Sequence, residues 1–424
     1  MISMLLYTYL GFVIFRYPEK RKKDRILNQM FGLMVFMHLI NYLVLYINTE
    51  NYKLLILYGV ELLLILFVVF VYHWIYPNLN ELVMQHMMML LTIGYVFMAR
   101  LSYRVAVRQV TFSCIGIIAC MVVPIIIEKF KKLKKLSYLL AILGIVILLA
   151  VLLFGVENNG ATNWIKIGNL IQLQPSEFVK ILFVFGMAGL LADVKSFKQI
   201  VIVSILAAIH VLVLVAGTDL GGALIFFITY VVMLTVATGK LFYLFAGMGG
   251  GSVAAVIAYQ LFSHVRVRVM AWKDPWSLID RQGYQVAQSL FAIGTGGWLG
   301  MGLSQGLPNS IPVVTSDFIF SAISEEMGAI YAICMILICM SCFIMFINIS
   351  MRLKDTYYKL IALGFSIMYA FQVFLNIGGV TKLIPSTGVT LPLISAGGSS
   401  LLTTIVMFNV IQGLYLLNQK KERL

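Results

Sequence analysis

About thirteen apolar runs of membrane-spanning length follow one another along this chain, separated by short polar loops. A helix needs about 20 apolar residues to cross the hydrocarbon core of a bilayer, whereas a barrel strand needs only about 10. The runs therefore predict an all-α polytopic membrane protein. They lie at roughly 3–16, 29–48, 53–76, 83–100, 108–127, 136–155, 177–192, 198–216, 220–238, 241–262, 318–349, 357–380 and 396–418.

The composition supports this prediction and excludes an ordinary soluble domain. Of the 424 residues, 61% are hydrophobic and 11% are charged, whereas soluble domains carry roughly 25% charged residues. The formal net charge of +14 would also fit a protein that binds nucleic acid. The positions of the basic residues argue against that function, because much of the basic charge lies in short loops between the apolar runs.

These basic loops indicate how the chain is oriented in its membrane. Cytoplasmic loops are enriched in Lys and Arg. An N-terminus outside the cell puts every strongly basic loop and the C-terminal tail in the cytoplasm, and it puts the loops 156–176, 263–317 and 381–395 outside. The basic segments are 16–25, 129–135, 195–198, 352–359 and 420–423.

The cysteines and histidines give no sign of a disulfide framework or a metal centre. All five cysteines lie inside apolar runs, and none has zinc-ligand spacing with a histidine. We therefore expect no cofactor and no dedicated metal site, although a divalent cation could still take part.

The external loop 263–317 is the longest stretch that cannot be a membrane span. Together with the start of the next run it carries five of the 17 acidic residues: Asp274, Asp280, Asp317, Glu325 and Glu326. The loop begins HVRVRVMAWKDPW, where the alternation of arginine and valine predicts an extended segment with both arginines on one side. The adjacent glutamates cannot share a helix face, so one could face a cavity and the other a neighbouring helix.

Two further external stretches carry acidic residues at the start of a helix. In the stretch 160–182, Pro175 opens a helix with Glu177 in its first turn, and Glu177 shares a helix face with Lys180. That pair is either a local ion pair or a functional polar site in the membrane. In AGTDLGGAL, Asp219 is either a helix N-cap or a site residue.

A third stretch, LIPSTGVTLPLISAGGSSLL at 383–402, interrupts an apolar region with prolines and glycines. Irregular backbone at membrane depth is tolerated where it lines a cavity or is buried in protein. Residues 395–400 could present backbone N–H groups to an anion. A purely structural re-entrant loop would have the same sequence pattern.

Six motifs in these regions resemble, in order, those of the SEDS family of bacteria, which includes RodA, FtsW and SpoVE. The resemblance covers roughly residues 84–418 and implies a ten-helix core at 81–424 with a large external loop at 263–317. Residues 1–80 form an N-terminal extension of about three helices. The motifs are NWIKIGNLIQLQPSEFVKI, GTDLGGAL, RVMAWKDPW, GYQVAQSLFAIGTGGWLGMGL, TSDFIFSAISEEMG and IPSTGVTLPLISAGGSS.

The resemblance implies a peptidoglycan glycosyltransferase that polymerises lipid II, a disaccharide-pentapeptide on undecaprenyl pyrophosphate, in elongation, division or sporulation. It also implies a class B penicillin-binding protein as partner, docked on helices of the 318–380 region, and other divisome or elongasome membrane proteins. Two alternatives remain open: a lipid II flippase and a non-catalytic scaffold that activates a synthase. A flippase needs a polar path from both membrane faces, whereas the polar motifs here lie on the outer side.

The resemblance also implies a catalytic aspartate, but this chain departs from the family spacing. The family's essential aspartate stands three residues after the proline of an Asp/Asn-Pro pair, a position that Leu278 occupies here. Asp280 is therefore the first candidate for the general base, and Asp274 is the second. A second departure is Ala396, where the family has an aromatic residue.

Cationic and polar residues near the motifs are the candidates for binding substrate and pyrophosphate. Arg268 stands at the family's arginine position, and Lys273 and Arg281 flank the two aspartates. The full set is Arg266, Arg268, Lys273, Arg281, Glu177, Lys180, Asp219, Gln288, Asp317, Glu325, Lys382, Ser395, Gly397, Gly398, Ser399 and Ser400.

Overall fold

The structure is a computed structural model that describes residues 1–17, 19–129, 131–158, 161–167 and 171–423. Twelve helices in these residues are long and apolar enough to cross a membrane, and a shorter apolar helical segment, Ile2–Arg16, precedes them. The predicted all-α polytopic architecture is confirmed.

The helices are α1 (Ile2–Val13), α2 (Lys20–Thr49), α3 (Lys53–Ile75), α4 (Glu81–Leu101), α5 (Tyr103–Cys120), α6 (Val123–Lys129), α7 (Ser137–Phe154), α8 (Pro175–Ala192), α9 (Phe197–Ala216), α10 (Leu220–Thr238), α11 (Phe242–Leu261), α12 (Ser263–Lys273), α13 (Tyr284–Gly296), α14 (Ile319–Arg352), α15 (Thr356–Val380) and α16 (Gly398–Arg423). Short 3₁₀ helices lie at Ile14–Arg16, Lys131–Leu136 and Pro308–Ser310.

A small antiparallel sheet follows α7. Its strands are β1 (Val156–Asn158), β2 (Ala161–Ile167) and β3 (Ile171–Leu173), in the order β1-β2-β3. The sequence analysis predicted no sheet here, although apolar and polar residues alternate after Trp164. Alternation with a period of two is also the pattern of a strand with one covered face.

The chain divides into two compact units. The first unit comprises Met1–Met121, Met270–Met345 and Asn376–Phe408, and the second comprises Val122–Val269, Phe346–Leu375 and Asn409–Leu424. The long helices α14, α15 and α16 each contribute residues to both units.

In the first unit, the N-terminal helices α1, α2 and α3 cover α4, in which every residue from 82 to 99 is buried. Lipid gives little hydrophobic drive for one helix to pack on another, so packing and interhelical hydrogen bonds hold such contacts. His86 of α4 supplies two of them, to the Tyr7 hydroxyl at 3.2 Å and to the Ser341 hydroxyl at 2.9 Å. The Gln85 amide adds a third by donating to the Leu27 carbonyl at 3.0 Å.

In the second unit, α7 packs on α8 and α9, and α10 packs on α8 and α9. Polar side chains at the ends of these helices serve as caps. Ser196 and Gln199 form a capping box at the start of α9, and Asp219 caps α10.

Residues 296–302, which we call the strap, lie against α14 where that helix is broken at Gly328, which has φ +85°. In an unbroken helix the next two N–H groups would donate to the carbonyls of Glu325 and Glu326. Instead, Ala329 N–H donates to Gly297 O at 2.8 Å and Ile330 N–H donates to Trp298 O at 3.2 Å.

The two carbonyls that lose their helical partners at this break accept hydrogen bonds from N–H groups of the strap. Met301 N–H donates to Glu325 O at 3.0 Å, and Gly302 N–H donates to Glu326 O at 2.9 Å. The strap therefore replaces the helical hydrogen bonds lost at the kink, as a membrane-spanning helix requires.

Such close backbone contact needs glycine on both sides. A Cβ on Gly300 would lie 2.3 Å from Glu326 O, and one on Gly296 would lie 2.1 Å from Ser324 O. A Cβ on Gly328 would lie 2.4 Å from Gly300 N. Gly300 also has φ +81°, a conformation that is strained for any residue with a side chain.

We predict that Gly300→Ala destabilises the purified protein by about 3–5 kcal/mol, the sum of backbone strain and overpacking. Thermal unfolding followed by fluorescence in detergent measures the effect. Gly294→Ala is the matched control: Gly294 lies in α13 with nothing within 4 Å of an added Cβ, and it gains up to about 1 kcal/mol of helix propensity. Equal melting temperatures for the two variants would contradict the strap.

Candidate functional site

In the first unit, the end of the external loop is joined to the turn that precedes α16. Ala396 N–H donates to Thr315 O at 2.8 Å. The Ser395 hydroxyl donates to Ser316 O at 2.5 Å and accepts from Leu391 N–H at 2.8 Å. Two stretches that the sequence analysis treated as separate motifs are thus parts of one local structure.

Two buried amide side chains reinforce this junction. The Asn376 amide on α15 donates to Asp317 O at 2.9 Å and to Val389 O at 2.7 Å. The Gln109 amide on α5 donates to Ser395 O at 3.1 Å. Both side chains hold irregular backbone in place by satisfying carbonyls that no helix partner reaches.

The candidate anion-binding turn 395–400 leads directly into α16. Ser395, Ser399 and Ser400 are buried, and the Ser400 hydroxyl lies 2.7 Å from that of Thr390. Gly398 begins the helix, and a Cβ there would lie 2.9 Å from the Phe112 ring. The first turn of a helix has N–H groups without helical partners, which is the feature that suits it to an anion.

The two candidate aspartates differ in what their carboxylates do. The Asp274 carboxylate accepts from the N–H groups of Trp276 and Ser277 at 3.2 Å each, so it fixes the turn that follows Pro275. The pKa of the Asp274 carboxyl is held below its usual value by hydrogen bonds from Ser277, by another from Trp276 and by the positive charge of Lys382. Asp280 is also exposed to solvent, in the turn between α12 and α13.

The basic residues around these aspartates are exposed or half-buried. Lys273 and Arg281 are exposed, and Lys382 is half-buried with a left-handed backbone (φ +60°). The Lys382 carbonyl accepts from the Trp272 indole N–H at 3.1 Å, which ties the end of α12 to the segment after α15. Gln288 is half-buried on α13.

Glu325 and Glu326 of α14 bind the segment that follows the strap, Glu325 directly and Glu326 through Arg100. The Glu325 carboxylate accepts from Leu307 N–H at 2.9 Å. The Glu326 carboxylate pairs with the Arg100 guanidinium at 2.9 Å, and Arg100 also donates to Gly306 O at 3.2 Å. The two side chains therefore have different partners, a backbone N–H for Glu325 and a guanidinium for Glu326.

In the second unit, Glu177 and Lys180 form a buried ion pair in the first turns of α8. The Lys180 ammonium donates to the Glu177 carboxylate at 2.8 Å and to the Gln372 side-chain carbonyl at 2.9 Å. The side chains of Lys180 and Glu177 are only 4% and 11% exposed. The expected ion pair is therefore present, and a buried pair of this kind is costly to desolvate and contributes little net stability.

Asp219 connects two motifs of the second unit. Its carboxylate accepts from Gly222 N–H at 2.9 Å, which is the N-cap bond of α10. It also accepts from the side chains of Gln174 at 3.2 Å, Asn163 at 3.4 Å and Ser176 at 3.4 Å. The capping interpretation therefore holds, and the same carboxylate also orders the approach to α8.

The prediction that Arg266 and Arg268 share one side of an extended segment is wrong. Both residues lie in helix α12, where positions two apart point in nearly opposite directions. Arg266 is exposed and Arg268 is half-buried. Partial burial, and after it the positive charge of Arg268, lowers the pKa of His264, which lies one turn earlier on the same helix. The alternation of valine and arginine was read with the period of a strand, whereas the helix period applies.

Several polar residues were not singled out from the sequence: Arg100, Gln109 and Asn376 in the first unit, and Gln372 in the second. Each is a polar residue within or at the end of an apolar run, and such residues are usually functional or paired. That signal was present in the sequence, but the partner carbonyls lie in distant segments and could not be identified from it. Among the described residues, no group of three or more His, Cys, Asp or Glu could hold a metal ion.

Comparison with known proteins adds independent information. Residues 79–420 match the FTSW_RODA_SPOVE family model, described as cell cycle protein. The chain is 33% identical over 322 residues to the peptidoglycan glycosyltransferase RodA of Mycobacterium leprae, covering 72% of this chain and 69% of that protein. It is 32% identical over 321 residues to stage V sporulation protein E of Bacillus subtilis, covering 73% of this chain and 86% of that protein.

A solved structure has the same fold. It was reported as "Structural coordination of polymerization and crosslinking by a peptidoglycan synthase complex", and its matched chain gives a TM-score of 0.68 at 22% identity. The match covers 81% of this chain and 99% of that one. Residues 1–78 of this chain precede the family match.

We predict that Lys180→Met destabilises the protein by about 3–5 kcal/mol, because it leaves the Glu177 carboxylate buried without its cation. The double variant Glu177→Gln/Lys180→Met should recover part of that loss. Thermal unfolding of the purified variants measures both effects.

Lys134→Met provides the control for this prediction. Lys134 pairs with Asp193 at 2.6 Å in the same unit, but the side chains are 36% and 69% exposed. Its removal should change stability by about 0–1 kcal/mol. Equal losses at Lys134 and Lys180 would show that the buried pair is no different from a surface pair.

Proposed function

The chain belongs to the FtsW, RodA and SpoVE family, and we propose that it works as a peptidoglycan glycosyltransferase that polymerises lipid II at the outer face of the cytoplasmic membrane. The observation that carries this function is the family match over residues 79–420, with curated relatives named as peptidoglycan glycosyltransferases. The resemblance first recognised from six motifs is thereby confirmed.

The reaction joins two lipid-linked sugars. The 4-hydroxyl oxygen of an acceptor GlcNAc attacks the anomeric carbon of the donor, a C–O bond forms, and the bond to the donor pyrophosphate breaks. The hydroxyl proton passes to a base, and undecaprenyl pyrophosphate leaves. The protein must therefore supply a carboxylate at the acceptor and positive charge or N–H donors at the leaving group.

We assign the base to Asp280 in preference to Asp274. The Asp274 carboxylate accepts two backbone hydrogen bonds, and its lowered pKa makes it a weak proton acceptor. Among the described residues, no comparable backbone hydrogen bonds to the Asp280 carboxylate are found. Its exposure leaves it accessible to a sugar hydroxyl. The flanking Arg281 keeps positive charge next to it.

For the second unit we propose that Lys180 serves the pyrophosphate end of the reaction. An ammonium carries three N–H donors, and the acceptors found for Lys180 among the described residues, Glu177 and Gln372, account for two. The third is the donor that we assign to a phosphate oxygen. Arg268 is the second cation that we assign to pyrophosphate, because a guanidinium suits paired phosphate oxygens.

We further propose an orientation and a partner. The basic loops favour an N-terminus outside and a C-terminus in the cytoplasm, which puts the external loop on the side where lipid II is polymerised. The similar solved chain belongs to a peptidoglycan synthase complex that couples polymerization to crosslinking. That likeness in fold supports a class B penicillin-binding protein as the partner of this chain, docked on α14 and α15.

We predict that Asp280→Asn lowers lipid II polymerisation at least about 100-fold, because the acceptor hydroxyl loses its base. Asp274→Asn is the matched variant and should keep activity within a few-fold of wild type, since an Asn side chain can still accept the turn hydrogen bonds. The measurement is the glycan polymer formed from lipid II by the purified protein with its transpeptidase partner, resolved on a gel.

Two outcomes would overturn this assignment. Undiminished polymer from Asp280→Asn would exclude Asp280 as the base. Loss of polymer from Asp274→Asn, with intact thermal unfolding, would transfer the role to Asp274. No polymer from the wild-type complex under conditions where a curated relative is active would contradict the proposed function itself.

A further inference from the structure

The second half of the external loop is free of charged residues. Residues 282–316 contain no Asp, Glu, Lys, Arg or His, whereas about a quarter of the residues in a soluble segment are charged. The preceding turn, 273–281, contains four charged residues: Lys273, Asp274, Asp280 and Arg281. This abrupt change in composition suggests that the two halves of the loop lie in different surroundings.

Large apolar side chains are exposed throughout this charge-free half. Trp298 is 70% exposed, Leu299 is 71% exposed and Leu307 is 78% exposed. Phe291 and Met301 are also among the exposed large apolar side chains. Contiguous exposed apolar surface of this kind is rare in water and marks a surface that something apolar covers.

The depth of this segment relative to the hydrocarbon core can be inferred from α4, which belongs to the same unit. Helix α4 has 21 residues, so it is about 31 Å long and matches the roughly 30 Å hydrocarbon core. Its ends therefore lie near the two edges of that core. Arg100, the second-last residue of α4, pairs with Glu326 and donates to Gly306 O. Glu326 and Gly306 thus lie at the level of one edge.

The strap lies deeper than this edge. Gly297 and Trp298 accept from the N–H groups of Ala329 and Ile330, which follow Glu326 along α14 by about one helical turn. That displacement is toward the middle of α14, and hence toward the hydrocarbon. Trp298 projects from this level, and Trp is enriched at the boundary between hydrocarbon and headgroups.

We propose that residues 284–307 form a re-entrant segment whose exposed apolar side chains are covered by the acyl chains of the membrane leaflet. The backbone of such a segment must be satisfied by protein. Helix α13 meets that requirement internally, and the strap meets it through its bonds to α14. The occupant is lipid because the strap lies deeper than the edge of the hydrocarbon core, while Trp298, Leu299 and Leu307 remain exposed on this segment.

This placement fixes the preceding turn to the membrane surface. The four charged residues of the turn 273–281 are exposed, and the turn leads to the start of α13. With α13 and the strap anchored in the leaflet, the turn that carries Asp280 is held at the headgroup level. The inference stands on burial and composition, and it does not depend on the proposed reaction.

Nitroxide labels on single cysteines test the placement. The five native cysteines lie in spanning helices and can be replaced by alanine before Leu299→Cys, Leu307→Cys or Ser277→Cys is introduced. After reconstitution into vesicles of phosphatidylethanolamine and phosphatidylglycerol, power-saturation EPR compares collisions with oxygen, which concentrates in lipid, and with a water-soluble nickel chelate.

Labels at 299 and 307 should collide more with oxygen than with the nickel chelate, and the label at the exposed residue 277 should show the reverse. A nickel preference at 299 and 307 would place the segment in water. Little collision with either reagent at both positions would mean that protein covers the patch. Either result would overturn the proposal.

A second measurement does not require a cysteine-free protein. Lipids brominated on their acyl chains quench tryptophan fluorescence on contact. Trp298→Phe should remove a large part of the fluorescence that these lipids quench. If instead it removes mainly the fraction quenched by aqueous acrylamide, Trp298 faces water and the proposal fails.

Discussion

The whole structure depends on one requirement: backbone N–H and C=O groups inside a lipid bilayer must be satisfied by protein. Most of this chain meets the requirement with unbroken helices. It also departs from helix at two places, the kink at Gly328 and the turn before α16, and each departure is balanced by specific donors. The strap 296–302 supplies four hydrogen bonds at the kink. Gln109 and Asn376 supply amide donors at the turn. The glycines of the strap follow from this requirement, because a side chain would separate the two backbones.

The same requirement explains where the candidate chemistry lies. Irregular backbone in a membrane protein is stable only where protein encloses it, and enclosed irregular backbone exposes N–H groups that a regular helix would use internally. The turn 395–400 and the junction with residues 315–317 arise in this way in the first unit. In the second unit, Glu177 and Lys180 are buried as a pair with Gln372. Charge at such depth is retained at a cost in stability, and this cost is the observation behind the proposed role of Lys180 at the pyrophosphate.

The sequence allowed the spans and the family to be predicted, because apolar runs and ordered motifs are local signals. Asp219 as an N-cap, and Glu177 with Lys180 on one helix face, were also within reach, since both depend on short spacing. The strap was not predictable, because its bonds join residues about 30 positions apart and carry no periodic pattern. Arg266 and Arg268 were misplaced because the five alternating residues 265–269 have the period of a strand, and so short a run does not exclude a helix. Asn376 and Gln109 were missed because their partners are backbone carbonyls, which every residue possesses.

Hydrogen exchange at single-residue resolution tests the central claim most directly. In the protein reconstituted in lipid nanodiscs, the account predicts slow exchange for the four N–H groups that join strap and helix: those of Met301, Gly302, Ala329 and Ile330. They should be protected as strongly as the interior of α13, whereas the exposed turn at 276–282 exchanges quickly. Rapid exchange of Met301 and Gly302 together with Ala329 and Ile330 would show that the strap does not replace the broken helical bonds, and it would contradict the account.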